Sequence, residues 1–115
     1  MNELILEEIA KRYMKDGILK GKELLLPPDK IIGLVDDLLD QGISIVGCDL
    51  WRYVDREKGW IVQLVGAGLA IEDTKKSPGE LASLVKNYLT NELPGDAELV
   101  SLLFEDIRVY DCFKP

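Results

Sequence analysis

The sequence predicts an α+β domain: a two-layer α/β sandwich with helices packed on one face of a small, mainly antiparallel sheet. Three observations predict it. Apolar residues recur at helical spacing in segments that carry helix start and stop signals. Two β-branched and aromatic runs are joined by a short polar turn, and a further apolar run follows Pro94-Gly95-Asp96. At 115 residues the chain has the size of one domain with one core, so residues 1–115 are read as a single domain.

The first helix is expected over Asn2 to Lys15. Asn2 suits the N-cap, Glu3 lies where the helix dipole favours an anion, and Gly17 is placed to end the helix. Ile5, Leu6, Ile9, Ala10, Tyr13 and Met14 form its buried stripe. Ile18 to Leu26 reads either as a short strand or as an extended lead into Pro27-Pro28, because a residue before proline is pushed out of the helical region. Pro28 then opens a second helix with Asp29 close behind, and Gly42 lies just past its end. Ile31, Ile32, Leu34, Val35, Leu38 and Leu39 give its apolar face, with Asp36, Asp37 and Asp40 on the solvent side.

Ile43 to Val54 has strand composition, Asp55 to Gly59 is a polar turn, and Trp60 to Val65 resumes the strand, which together make a hairpin. Gly66 and Gly68 are expected to break or bend the second strand, with Leu69 to Glu72 continuing it as an edge. Ser77-Pro78-Gly79-Glu80 is a capping box with proline at the first helical position, and Leu81, Ala82, Leu84, Val85, Tyr88 and Leu89 supply the apolar face of the helix it opens. Glu98 to Glu105 fits either period. A strand is preferred because the run is short and leads into the β-prone Arg108-Val109-Tyr110.

Composition narrows the function. The chain has 14 basic against 21 acidic residues, a net charge of −7, so nucleic acid and anionic membrane surfaces are disfavoured as partners. A basic protein would be drawn to it. No apolar run approaches the roughly 20 residues of a membrane span, and the first residues lack the pattern of a signal peptide. A cytoplasmic protein is expected, with Cys48 and Cys112 reduced and structural.

Histidine is absent, which removes Ser-His and Cys-His nucleophile pairs and the commonest metal ligand. No P-loop is present, and Gly66-Ala67-Gly68 lacks the third glycine and following helix of a dinucleotide motif. No catalytic residues, metal or cofactor are therefore expected. Asp49 stands out as a carboxylate inside an apolar, aromatic strand, where burial is costly without a partner. It either caps backbone N–H groups internally or is exposed at a binding face. Trp51 and Tyr53 project to the same side as Asp49, because strand side chains alternate. An aspartate beside such aromatics suits an arginine or lysine from a partner.

The helix leading into Gln41-Gly42-Ile43-Ser44-Ile45-Val46-Gly47-Cys48-Asp49-Leu50 resembles an immunity-protein family of bacterial polymorphic toxin systems. That family places a "G-I" turn after a helix and a Gly-Gly-Asp-Val-like motif on the next strand. A hairpin, a Ser-x-x-Glu helix and a final apolar strand follow. Gly47 and Asp49 match the motif's glycine and aspartate, Cys48 and Leu50 replace its second glycine and valine, and the likeness covers residues 27–105. The family's Asn-Trp pair at the end of the second hairpin strand is replaced here by Gly66-Ala67-Gly68-Leu69-Ala70. The resemblance implies an inhibitor that neutralises a cognate toxin domain stoichiometrically. Asp49, Trp51 and Tyr53 would be its centre, and Asp36, Asp37 and Asp40 would steer the basic partner. The alternative expectation is a small structural or regulatory subunit that self-associates, as a homodimer, through an edge strand near Leu69 or Leu102.

Overall fold

A computed structural model of the protein describes residues 3–58, 61–73 and 75–113. The Asn2 cap and Trp60 lie outside the described residues. Helix α1 spans Glu3–Met14 and buries Leu6, Ile9 and Ala10. The segment behind it, read as one short strand or an extended lead, is a small hairpin of two strands, β1 (Ile18–Lys20) against β2 (Glu23–Leu25). Its two-residue turn has Gly21 at φ 62 in the first position, where a hairpin turn favours glycine.

Helix α2 (Pro28–Leu39) begins on Pro28 as expected and ends at a left-handed Gly42, φ 72. The N–H groups of Gly42 and Ile43 donate to the carbonyls of Leu39 and Leu38, at 2.8 and 3.1 Å. This Schellman pattern satisfies carbonyls that the helix end would otherwise strand. Strands β3 (Ile45–Tyr53) and β4 (Val62–Ala70) form the long hairpin. Helix α3 (Pro78–Asn91) starts with the full capping box: the Ser77 hydroxyl accepts from the Glu80 N–H, and Glu80 reaches back to the Ser77 N–H. Ser77→Ala should lower stability by about 1 kcal/mol, read as a shifted denaturant midpoint at unchanged slope.

Strand β5 (Leu99–Phe104) pairs antiparallel with β3, giving the order β4-β3-β5. The β-prone Arg108-Val109-Tyr110 is not a strand. It lies in a 3₁₀ helix, Ile107–Cys112, opened by an Asp106 side chain that accepts from the Arg108 N–H. That local cap, with burial of Val109 and Cys112, outweighs β propensity. Of the break or bend expected at the β4 glycines no break occurs, and the strand continues through Leu69 as expected. It runs on to Ala70, absorbing two register irregularities opposite Cys48/Asp49 and Leu50/Trp51.

The helices cover one face of the sheet. Cys48 and Leu50 of β3 and Val100, Leu102 and Phe104 of β5 join Leu34, Val35 and Leu38 of α2 and Ala82, Val85 and Leu89 of α3 in the principal core. A smaller cluster lies on the other face, where Leu25, Trp51, Val62 and Leu99 pack with Ile18 and Tyr53. The chain therefore forms the helix-on-sheet sandwich read from its periodicities. Both cysteines are buried thiols, and burial pushes Cys48 up to about 11, which keeps it protonated and unreactive at neutral pH. Among the described residues no helix is long and apolar enough to cross a membrane.

Candidate functional site: the helix-free face of the sheet

Strand β3 keeps an unbroken register with β5 from Gly47 to Trp51. Gly47, Asp49, Trp51 and Tyr53 consequently share the face turned away from the helices, as alternation requires. The neighbours of Asp49 across the sheet are small: Ala67 on β4 and Ser101 on β5. Gly47 is flanked by Ala70 and Leu103. Leu103 apart, the cross-strand neighbours of Gly47 and Asp49 are short and form a small-residue floor beneath the one carboxylate.

Asp49 is half-buried, and its carboxylate makes no hydrogen bond or ion pair with another described residue. Internal capping, one of the two roles open to it from sequence, is therefore not its use in this structure. Glu23, on the hairpin, is also half-buried and equally without a hydrogen-bonding or cationic partner among the described residues. Partial burial raises the pKa of both carboxyls, and the nearby Asp49 charge raises Glu23 further. Burial thus makes the ionised form of both groups less favourable than in a solvent-exposed carboxylate. Sequence reasoning missed Glu23, because only the return of the hairpin toward β5 through the Leu26–Val100 bridge brings it near Asp49.

Trp51 does not offer its ring to solvent. It is 7% exposed, its indole N–H donates to the buried Ser101 Oγ at 2.9 Å, and the Lys20 ammonium lies 5.7 Å from its ring centroid. Its contribution in the isolated chain is to hold the hairpin and Leu99 against the sheet. Tyr53 is half-buried at the end of the strand; its N–H donates to Glu98 Oε1 at 3.3 Å. Arg56 pairs with the other oxygen of Glu98 and lies over the Tyr53 ring at 5.8 Å.

Asp36 and Asp37 of α2 and its C-cap Asp40 belong to the helical layer, on the other side of the sheet from Asp49. Two of them are engaged. Asp36 accepts from Lys86 of α3 at 2.7 Å, and Asp37 accepts from the Tyr13 hydroxyl at 2.6 Å, with Arg12 at 3.6 Å. Burial and the Asp37 hydrogen bond push the Tyr13 phenol up to about 12, so it remains a donor. Asp40 is exposed. One flat partner surface cannot touch both these aspartates and Asp49, so steering by Asp36, Asp37 and Asp40 would act at long range only.

Among the described residues no cluster of three or more His, Cys, Asp or Glu side chains is placed to hold a metal ion. The arrangement does offer a small-residue floor, two uncompensated carboxylates and an aromatic border. It suits recognition of a cationic side chain approaching from the helix-free side. Comparisons with protein-family models, with curated proteins and with solved structures found no match for this chain.

Proposed function

We propose that this chain is a cytoplasmic immunity protein that binds a basic toxin domain in one-to-one stoichiometry and neutralises it. The helix-free face of the sheet serves as its docking surface. One observation carries the reading. Asp49 and Glu23 are partly removed from water with no cation among the described residues paired to them to offset the cost. Such a pair lowers the stability of the free chain and is compensated when a partner supplies a guanidinium or ammonium group. The net charge of −7, the absence of histidine and the Gly47-Cys48-Asp49 resemblance point the same way.

The free protein provides a first check. A carboxyl whose folded-state pKa is raised favours the folded state at low pH, and this advantage is lost as pH rises through the folded pKa. Asp49→Asn and Glu23→Gln should therefore each stabilise the isolated protein at pH 7. The gain over the parent should shrink as pH falls through the carboxylate range, where the parent's own groups become neutral. Chemical denaturation at several pH values reads this directly.

Binding provides the second check. Immobilised protein is used to recover a partner from a lysate of the source organism, and the partner's toxicity is measured with and without this chain. Asp49→Ala should weaken that complex by more than about 2 kcal/mol, as a central anchor does. Asp40→Ala should cost less than about 1 kcal/mol. The affinity should fall with added salt, and also as acidification neutralises Asp49 and Glu23. A double variant, Asp49→Asn with Glu23→Gln, that is folded yet protects against the toxin as well as the parent would sink the assignment of this face.

A further inference from the structure

The two edges of the sheet are unlike. Beyond β5, Leu26 exchanges two backbone hydrogen bonds with Val100, at 3.0 and 2.8 Å, and the β1–β2 hairpin continues from there. Beyond β4 there is no strand among the described residues. A bare edge offers unpaired N–H and C=O groups to any strand that meets it, and proteins usually guard such edges with charge or proline. Strand β4 has neither. Its sequence, VQLVGAGLA, lies within the uncharged stretch from Gly59 to Ile71, in a chain whose residues are 30% charged. Leu64 on this strand is 50% exposed, and Ala67 and Ala70 are exposed as well.

Charge decides which strand fits. A basic partner gains nothing electrostatically from a neutral edge and is drawn instead to Asp49. Another copy of this chain, also carrying −7, is repelled by most of the surface but can approach β4 without placing like charges opposite one another. We infer that the protein forms a two-fold dimer in which β4 pairs antiparallel with β4 of a second copy. A two-fold axis near the middle of the strand sets Leu64 of one copy beside Gly66 to Gly68 of the other, so the exposed leucine lies against small residues. The combined sheet has six strands in the order β5-β3-β4-β4-β3-β5. Because the axis between antiparallel neighbours is perpendicular to a sheet, both helical layers fall on one side and both Asp49 carboxylates on the other. The β4 irregularities limit the contact to a short ladder, so the dimer depends on concentration.

Sedimentation velocity from about 10 μM to about 1 mM tests this, in a range suited to weak association. The parent should pass from monomer to dimer. Leu64→Lys should lower the association constant at least tenfold while the circular dichroism stays native. Ala70→Lys serves as a second edge variant should the first unfold, and Leu84→Lys on α3 should leave association unchanged. Amide exchange across residues 62–70 should slow as the dimer forms. A parent that remains monomeric throughout overturns the inference. So does a dimer unaffected by the folded edge variants, or one whose added protection falls on the helices. None of these results depends on the role of Asp49.

Discussion

Trp51→Ala should destabilise the fold by about 3–5 kcal/mol, the range for removing a buried tryptophan. The ring fills the cluster formed by Leu25, Val62 and Leu99 on the helix-free face, with Ile18 and Tyr53 at its margin. Its loss opens a cavity between the β1–β2 hairpin and the sheet. It also strips the Ser101 hydroxyl, which is fully buried, of its indole donor. Trp51→Phe keeps most of the packing and loses the hydrogen bond, so a cost of about 1–2 kcal/mol is expected from that bond and the smaller ring. Urea unfolding of both variants separates the terms. Any loss of partner binding in Trp51→Ala must then be measured on the folded fraction, because most of its effect is on stability. An alanine variant as stable as the parent would show that the hairpin is held by something other than this cluster.

The second large effect is expected at Gly47. A Cβ built on this residue would lie 2.1 Å from the carbonyl oxygen of Leu69, an overlap with backbone that no rotamer change can relieve. Gly47→Ala must push β4 away from β3 at the end of their ladder. Overpacking of a well-filled site costs about 1–3 kcal/mol, and a rigid backbone neighbour places this substitution at the upper end or beyond. Gly79→Ala is the contrasting control: the nearest atom to its added Cβ is Ser77 Oγ at 4.0 Å, so it should be well tolerated. Thermal unfolding of the pair would show the difference as several degrees for a domain of this size. The glycine two residues before Asp49 is thus required by the close approach of a neighbouring strand, and it sets the strand spacing on which the floor around Asp49 depends.

What was legible in the sequence follows from the range of the interactions involved. The three helices were readable because periodicity, the capping box at Ser77 and the Gly42 terminator are all local signals. The β3–β4 hairpin was readable for the same reason. The β1–β2 hairpin was not read, only a short strand or an extended lead in its place, since three-residue strands leave almost no periodic trace and the structure fixes them through Leu25 packing and the Leu26–Val100 bridge. At Ile107–Cys112, propensity pointed to a strand while the Asp106 cap and burial of Val109 favoured a 3₁₀ turn. In the candidate site, alternation correctly put Asp49, Trp51 and Tyr53 on one side. It carried no information on depth, so the burial of Trp51 beneath the hairpin could not be read from it. Helical amphipathicity placed the α2 aspartates toward solvent, but the side of the sheet occupied by α2 is a tertiary fact. Glu23 was invisible because it is distant from Asp49 in sequence.

The strand order also sets an order of assembly. Central β3 meets β4 across a connection short in sequence, with Tyr53 opposite Val62, whereas β5 returns only after α3, with Trp51 opposite Leu99. Closing the longer loop costs roughly 1.5 kcal/mol more in chain entropy on logarithmic scaling with loop length. On chain entropy alone the hairpin is consequently the cheaper nucleus, with β5 expected to dock later. Until it docks, the side of β3 that β5 will occupy is open to any strand in solution. A chain in which β5 has not docked therefore presents to other strands an edge that the finished fold conceals.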